Sequence, residues 1–385
     1  MKEKRRICFV IHNRANFARI KSVIESLSST ESVEIFVVLA SSSILRNFGR
    51  VEDDFFVSSI KEKVQIYNVV MGNEPITMVK TTGLAAIELS QVFQRIRPSC
   101  VVTVADRHET LATAIAASYM NIPLVHTQGG EVSGSIDESV RHACTKLAHL
   151  HFPATEKAKR IILRMGENPE FVFNFGCPAM DVLRNAPNLP AKEVLAEYKG
   201  VGPRIETNSG FMIVIQHSVT THFETSERDT FTLLKAIINS GKPAIWLWPN
   251  VDSGSEYIAK QIRRFRESSQ DSPIQFFTNF SPEHYASLLK QASCIVGNSS
   301  SGIRESSFLG LPSVTIGDRQ SEREAGENVK RVQFQQEEIV SAIQFQWEHG
   351  KYQPSGLYGD GTAGKKIANK LLELEIPISK KFFWN

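Results

Sequence analysis

A chain of 385 residues is too long for one ordinary core and predicts two domains. Its 44 basic and 41 acidic residues leave a net charge of +3, which gives no case for a nucleic-acid or membrane-surface partner. Five dispersed cysteines, an odd number in apolar surroundings, fit buried free thiols in a reducing, cytoplasmic setting.

The elements alternate from the start. "RRICFVIHN" reads as a strand; its apolar run is too short for a signal peptide, and no segment approaches the length of a membrane span. "FARIKSVIESLSS" predicts a helix, "VEIFVVLAS" a strand, "TTGLAAIELSQVFQRIRP" a helix and "SCVVTVAD" a strand. "HETLATAIAASYMN", "IPLVHTQ" and "DESVRHACTKLAHLHF" continue as helix, strand and helix. Near-continuous apolar strands between amphipathic helices argue a parallel sheet covered on both faces. Pro, Gly and polar residues then cluster over 185–210 as a linker, and a second alternating series runs from "FMIVIQH" to "PSVTIG". The expected fold is therefore α/β with two Rossmann-like doubly wound domains, at 1–185 and 205–365. Residues 366–385 are expected as a helix and tail packing back on the first domain. In such sheets ligands bind beyond the carboxyl ends of the strands, so two facing domains place the site in the cleft between them.

Several strand ends carry more than a turn needs. "CIVGNSSSGIRE" ends a strand in a small polar loop that opens a helix. Ser299, Ser300 and Gly302 suit a phosphate there, and Glu305 suits a ribose diol; the plainer reading is capping by the serines and a first-turn carboxylate. Arg14, in the loop after the first strand, is a candidate phosphate partner or a surface cation. Asp106 ends "VVTVAD" as an acid/base candidate or a helix cap. His217 ends "IVIQH", where capping gives no reason for histidine. "HTQGGEVSGSIDES" gathers Glu131, Asp137 and Glu138 within eight residues. His149 and His151 lie close together, but no Cys or carboxylate cluster completes a metal spacing, and no cofactor is expected.

These stretches together, with "PNVDSGS", "REAGENV" and "YGDGTAGKKI", resemble the hydrolysing UDP-N-acetylglucosamine 2-epimerases of sialic-acid biosynthesis, across essentially the whole chain. The resemblance implies a fold of the glycosyltransferase-B type and release of UDP and N-acetylmannosamine from UDP-N-acetylglucosamine. It implies roles for Asp106 (the Asp of "GDR"), Asp137 (of "TID"), His217 (of "QHP") and Arg14 (of "NRAD"). Ser299 and Ser300 match the diphosphate-binding serines and Glu305 the ribose-binding glutamate. A homodimer or homotetramer is expected. Three positions depart from the pattern: Ala105 replaces the Gly of "GDR", Ser218 the Pro of "QHP", and Gln128 the Glu of "HxEGGE".

A neutral amide cannot take a proton near neutral pH. Either Glu131 carries the acid/base role in place of residue 128, or Gln128 reads a sugar substituent. The second alternative points to a 2,4-diacetamido-2,4,6-trideoxy sugar nucleotide, as in legionaminic-acid pathways. A non-hydrolysing epimerase, a glycosyltransferase of the same fold and a non-catalytic sugar-nucleotide sensor are the remaining readings.

Overall fold

The computed structural model describes residues 4–54, 59–269 and 272–384. Six parallel strands form the first sheet: β1 (Arg5–Ile11), β2 (Val33–Leu39), β3 (Ile60–Gln65), β4 (Cys100–Val104), β5 (Leu124–Thr127) and β6 (Leu150–Phe152). Their order is β3-β2-β1-β4-β5-β6. The second sheet holds β7 (Met212–Ile215), β8 (Ala244–Leu247), β9 (Ile274–Phe277), β10 (Cys294–Gly297), β11 (Ser313–Ile316) and β12 (Val329–Val332), ordered β12-β11-β10-β7-β8-β9. Both are doubly wound, and each reverses direction at its centre: between β1 and β4 in one, between β7 and β10 in the other. This is the two-domain arrangement expected from the sequence.

Burial explains the strand composition. Every residue of β4, β5, β7 and β10 is buried, so none alternates polar with apolar. Apolar side chains cover both faces of the first sheet: Ile7, Phe9 and Ile11 join one layer, Cys8, Val10 and Val101 the other. The helix Ala179–Asn185 falls inside the expected first domain, yet its Met180 and Leu183 pack with Phe211, Ile213 and Ile215 beside the second sheet. The last helix runs Ala363–Glu373 and returns to the first domain, where Ile367 and Leu371 share a core with Ile20, Ile24 and Leu27. The tail follows it. Lys380 donates to the carbonyls of Lys146 and Ala148 at 2.7 Å, at the end of the helix Asp137–Leu147. Among the described residues no helix is long and apolar enough to cross a membrane.

Candidate active site

A cavity of about 240 Å³ opens between the domains, where the carboxyl ends of both central strand pairs face each other. Asn13 and Arg14 follow β1, and Asp106 and Arg107 follow β4. His217 follows β7, and Ser299, Ser300 and Ser301 follow β10; all of them line it. Asp137, at the start of the helix Asp137–Leu147, and Glu305, in the helix Arg304–Leu309, complete the set.

Two carboxylates in this cavity differ sharply in environment. Asp106 accepts two hydrogen bonds from the Arg141 guanidinium, one at 3.1 Å, and Arg323 lies 3.5 Å away. Burial by itself would raise its pKa, but Arg141 and Arg323 outweigh burial and hold the carboxyl far below the usual carboxylate range. Asp137 is the opposite case. Burial raises its pKa and the charge on Asp106 raises it further, against Arg319 at 3.9 Å. His217 is fixed by a reciprocal pair of bonds: its N–H donates to Asn298 Oδ1 at 2.7 Å, and Asn298 Nδ2 donates back to its carbonyl at 2.8 Å. Burial pushes its pKa down to about 3, so the imidazole is neutral at physiological pH.

The serine loop meets cations from the opposite domain. Arg19 donates to Ser300 Oγ at 2.7 Å, and Arg14 donates to the Phe280 carbonyl. Ser299 accepts from the Ser301 N–H at 3.3 Å, so it does cap the turn as the plainer reading supposes. Tyr285 bonds Ser301 at 2.6 Å, and Glu305 Oε2 is buried without a protein partner. Gly302 does not line the cavity; its carbonyl accepts from Ser306 and Ser313 inside the domain.

Gln128 and Glu131 are also absent from the lining. Both are buried in the cleft wall and held by Arg304 from the second domain. One Arg304 nitrogen donates to Gln128 Oε1; the other sits 2.6 Å from both Glu131 oxygens. Arg323 lies 3.4 Å from Glu131. Burial would raise the Glu131 pKa, but Arg304, Arg323 and Arg141 pull it below normal. The glycines beside them have packing reasons. A Cβ on Gly130, at φ +76°, would meet the Ala158 carbonyl at 2.3 Å. Ala105 and Gln128 hold left-handed backbone at φ 64° and 61°, each just past the end of a strand. That is where glycine would be unstrained, so the Gly-to-Ala departure at 105 carries a local cost.

The sequence did not announce the arginines that hold these carboxylates, Arg304 and Arg323 among them, and two more cases show why. Arg141 lies one turn after Asp137 on the same helix, so helical spacing put it on the same face, but its partner is Asp106, 35 residues away. Arg107 pairs with Asp252 across the cleft at 2.7 Å, and no local pattern announces a partner 145 residues away.

Comparison with known proteins follows the same outline. A family described as UDP-N-acetylglucosamine 2-epimerase matches residues 25–372. The UDP-N-acetylglucosamine 2-epimerase of Neisseria meningitidis serogroup B is 29% identical over 93% of this chain and 91% of its own length. The hydrolysing UDP-N,N'-diacetylbacillosamine 2-epimerase of Legionella pneumophila is 28% identical over 94% of each. Among solved structures, UDP-GlcNAc 2-epimerase from Neisseria meningitidis bound to UDP-GlcNAc superposes with a TM-score of 0.77 at 19% identity, covering 96% of this chain and all of the other. The family match spans nearly the whole chain, and the chain belongs to the UDP-N-acetylglucosamine 2-epimerase family.

Proposed function

We propose that this enzyme is the hydrolysing kind, converting UDP-N-acetylglucosamine to UDP and N-acetylmannosamine in the cytoplasm. The observation that carries the reading is a pair of cleft carboxylates with opposed proton affinities. Asp106 is held ionised and Asp137 holds its proton more firmly than usual. Carbon 2 of the sugar has no neighbouring carbonyl, so its proton is not acidic in the ground state. As the bond from carbon 1 to the UDP oxygen breaks, its electron pair leaves with UDP and carbon 1 gains oxocarbenium character. That acidifies the proton on carbon 2. A carboxylate takes the proton, a carbon–carbon double bond forms, and 2-acetamidoglucal results. A second acid then protonates the opposite face of carbon 2 while water adds its hydroxyl to carbon 1, and the water's other proton restores that acid.

Work on two faces of one carbon needs two groups, each worth roughly a hundred- to ten-thousand-fold in rate. Asp106 and Asp137 fill these roles. The loop of Ser299 and Ser300, with Arg14 and Arg19 beside it, receives the departing diphosphate, and Glu305 receives the ribose. His217, being neutral, contributes a hydrogen bond rather than a charge. Gln128 and Glu131 belong to the wall that carries these groups.

The test is incubation with UDP-N-acetylglucosamine while UDP and sugar are followed by NMR in D2O. Free UDP with N-acetylmannosamine deuterated at carbon 2 is the expected result. Retention of UDP on an epimerised sugar identifies a non-hydrolysing epimerase. Release only with an added acceptor identifies a glycosyltransferase, and binding without turnover a sensor. Much faster turnover of a 2,4-diacetamido-2,4,6-trideoxy nucleotide moves the substrate to that of the Legionella relative.

A further inference from the structure

Asp106 follows a residue in an unfavourable backbone conformation, and buried groups outside the cavity hold that residue in place. The Ala105 carbonyl accepts from His126 Nε2 at 2.7 Å. On the other side of the ring, His126 Nδ1 lies 3.2 Å from Thr145 Oγ1. Both side chains are fully buried. A carbonyl can only accept, so Nε2 carries the imidazole proton, Nδ1 is left as acceptor, and the Thr145 hydroxyl donates to it. That hydroxyl has one alternative acceptor, the Arg141 carbonyl at 3.1 Å on its own helix.

The contacts form a closed ring. Ala105 leads into Asp106, which is bound by Arg141; Arg141 lies one turn before Thr145, and Thr145 returns through His126 to Ala105. Gly129 leaves room for it: a Cβ there would stand 2.7 Å from Thr145 Oγ1 and 2.9 Å from His126 Nδ1.

We propose that Thr145 and His126 are positioning residues, which hold Ala105 left-handed and thereby aim the Asp106 carboxylate at the reacting carbon. The catalytic part of this rests on the function proposed above. Neither residue touches the cavity, so their loss acts through Asp106. Burial lowers the His126 pKa to about 4, which keeps the single-proton form that the ring needs at pH 7.

The experiment compares Thr145→Val, which keeps the shape and removes the hydroxyl, with Thr145→Ser, which restores it. Misplacement of a reacting group by about 1 Å costs on the order of a hundred-fold. The Val variant is therefore expected to lose at least about ten-fold in kcat with KM within two-fold, and the Ser variant to recover most of the loss. Full kcat in Thr145→Val overturns the proposal. So does a loss that Ser does not rescue and that tracks a fall in melting temperature, because the role is then packing. A second readout needs no turnover. Nitrogen-15 NMR of wild type at pH 7 is expected to show His126 neutral with its proton on Nε2. Protonation on Nδ1, or a charged ring, overturns the ring. If wild type turns over no UDP sugar, the function reading fails while this spectrum still decides the positioning geometry.

Discussion

Glu131 and Asp137 are six residues apart, but they hold their charges in different ways, and two substitutions separate them. Glu131 is fully engaged by Arg304 and Arg323 and does not face the cavity. Removing one partner of a buried ion pair leaves the other uncompensated, at a cost of about 3 kcal/mol or more. Glu131→Gln is therefore expected to lower the melting temperature by several degrees. Asp137→Asn removes one long ion pair, to Arg319 at 3.9 Å, and eases repulsion with Asp106. It should melt within a few degrees of wild type and lose at least about a hundred-fold in turnover. Thermal melts beside UDP-release assays read both. A Glu131→Gln protein that melts like wild type but no longer exchanges deuterium at carbon 2 would make Glu131 a proton-transfer group after all. Gln128 follows the same logic. Three guanidiniums, of Arg141, Arg304 and Arg323, face two carboxylates, of Asp106 and Glu131. Gln128→Glu would add a third, so it should be tolerated without creating a new base in the cavity.

At the level of the elements, the loop after β10 joins the two halves of the site. Gly297 sits at φ +130°, and a Cβ there would collide with the Ile215 carbonyl at 2.0 Å; the turn into the serines thus depends on glycine. Ser300 already accepts from Arg19, which marks the hydroxyl as lying where an anionic oxygen and a guanidinium can share it. The Ser299→Ala/Ser300→Ala pair should weaken UDP binding, read by calorimetry, by about 1 kcal/mol or more. Unchanged affinity would remove the loop from the diphosphate site. This loop was legible because a fully buried strand, a run of small polar residues and a helix start follow one another in sequence. The edge strands β3 and β12 were not. β3 alternates exposed Lys61 and Lys63 with partly buried Ile60, Glu62 and Val64, and β12 is partly exposed with Lys330 and Arg331 in it. A strand covered on one side only loses the unbroken apolar run that marked its neighbours. Gln128 and Glu131 were only partly legible for a related reason. Composition gave their chemistry, but Arg304, which bonds both, lies more than 170 residues away in sequence.

Across the whole molecule, strands at and beside the two reversal points carry buried histidines, and that makes stability depend on pH. His12 follows β1, His126 lies in β5 and His217 follows β7; all are buried. Burial lowers their pKa values to about 4, 4 and 3 from an ordinary 6.5. Unfolded, each takes up a proton as the pH falls through about 6.5. Folded, each stays neutral until about pH 4 or below. Between those limits the unfolded chain binds more protons, so stability falls as pH falls, by up to about 1.4 kcal/mol per pH unit for each histidine. Below about pH 4.5 the carboxylates add to the loss. Glu109 is the clearest: burial would raise it, but Arg107 brings it down to about 2, and its stabilisation is lost as it protonates. Urea unfolding at pH 7.5, 6 and 5 reads the effect. The midpoint should change little above pH 7 and decline steadily from 6.5 to 5. His12→Gln should flatten the decline by the share of one site while leaving the carboxylate loss in place. A midpoint constant from pH 7.5 to 5 would mean that the histidines accept protons within the fold, and that their sites are wetter than their burial implies.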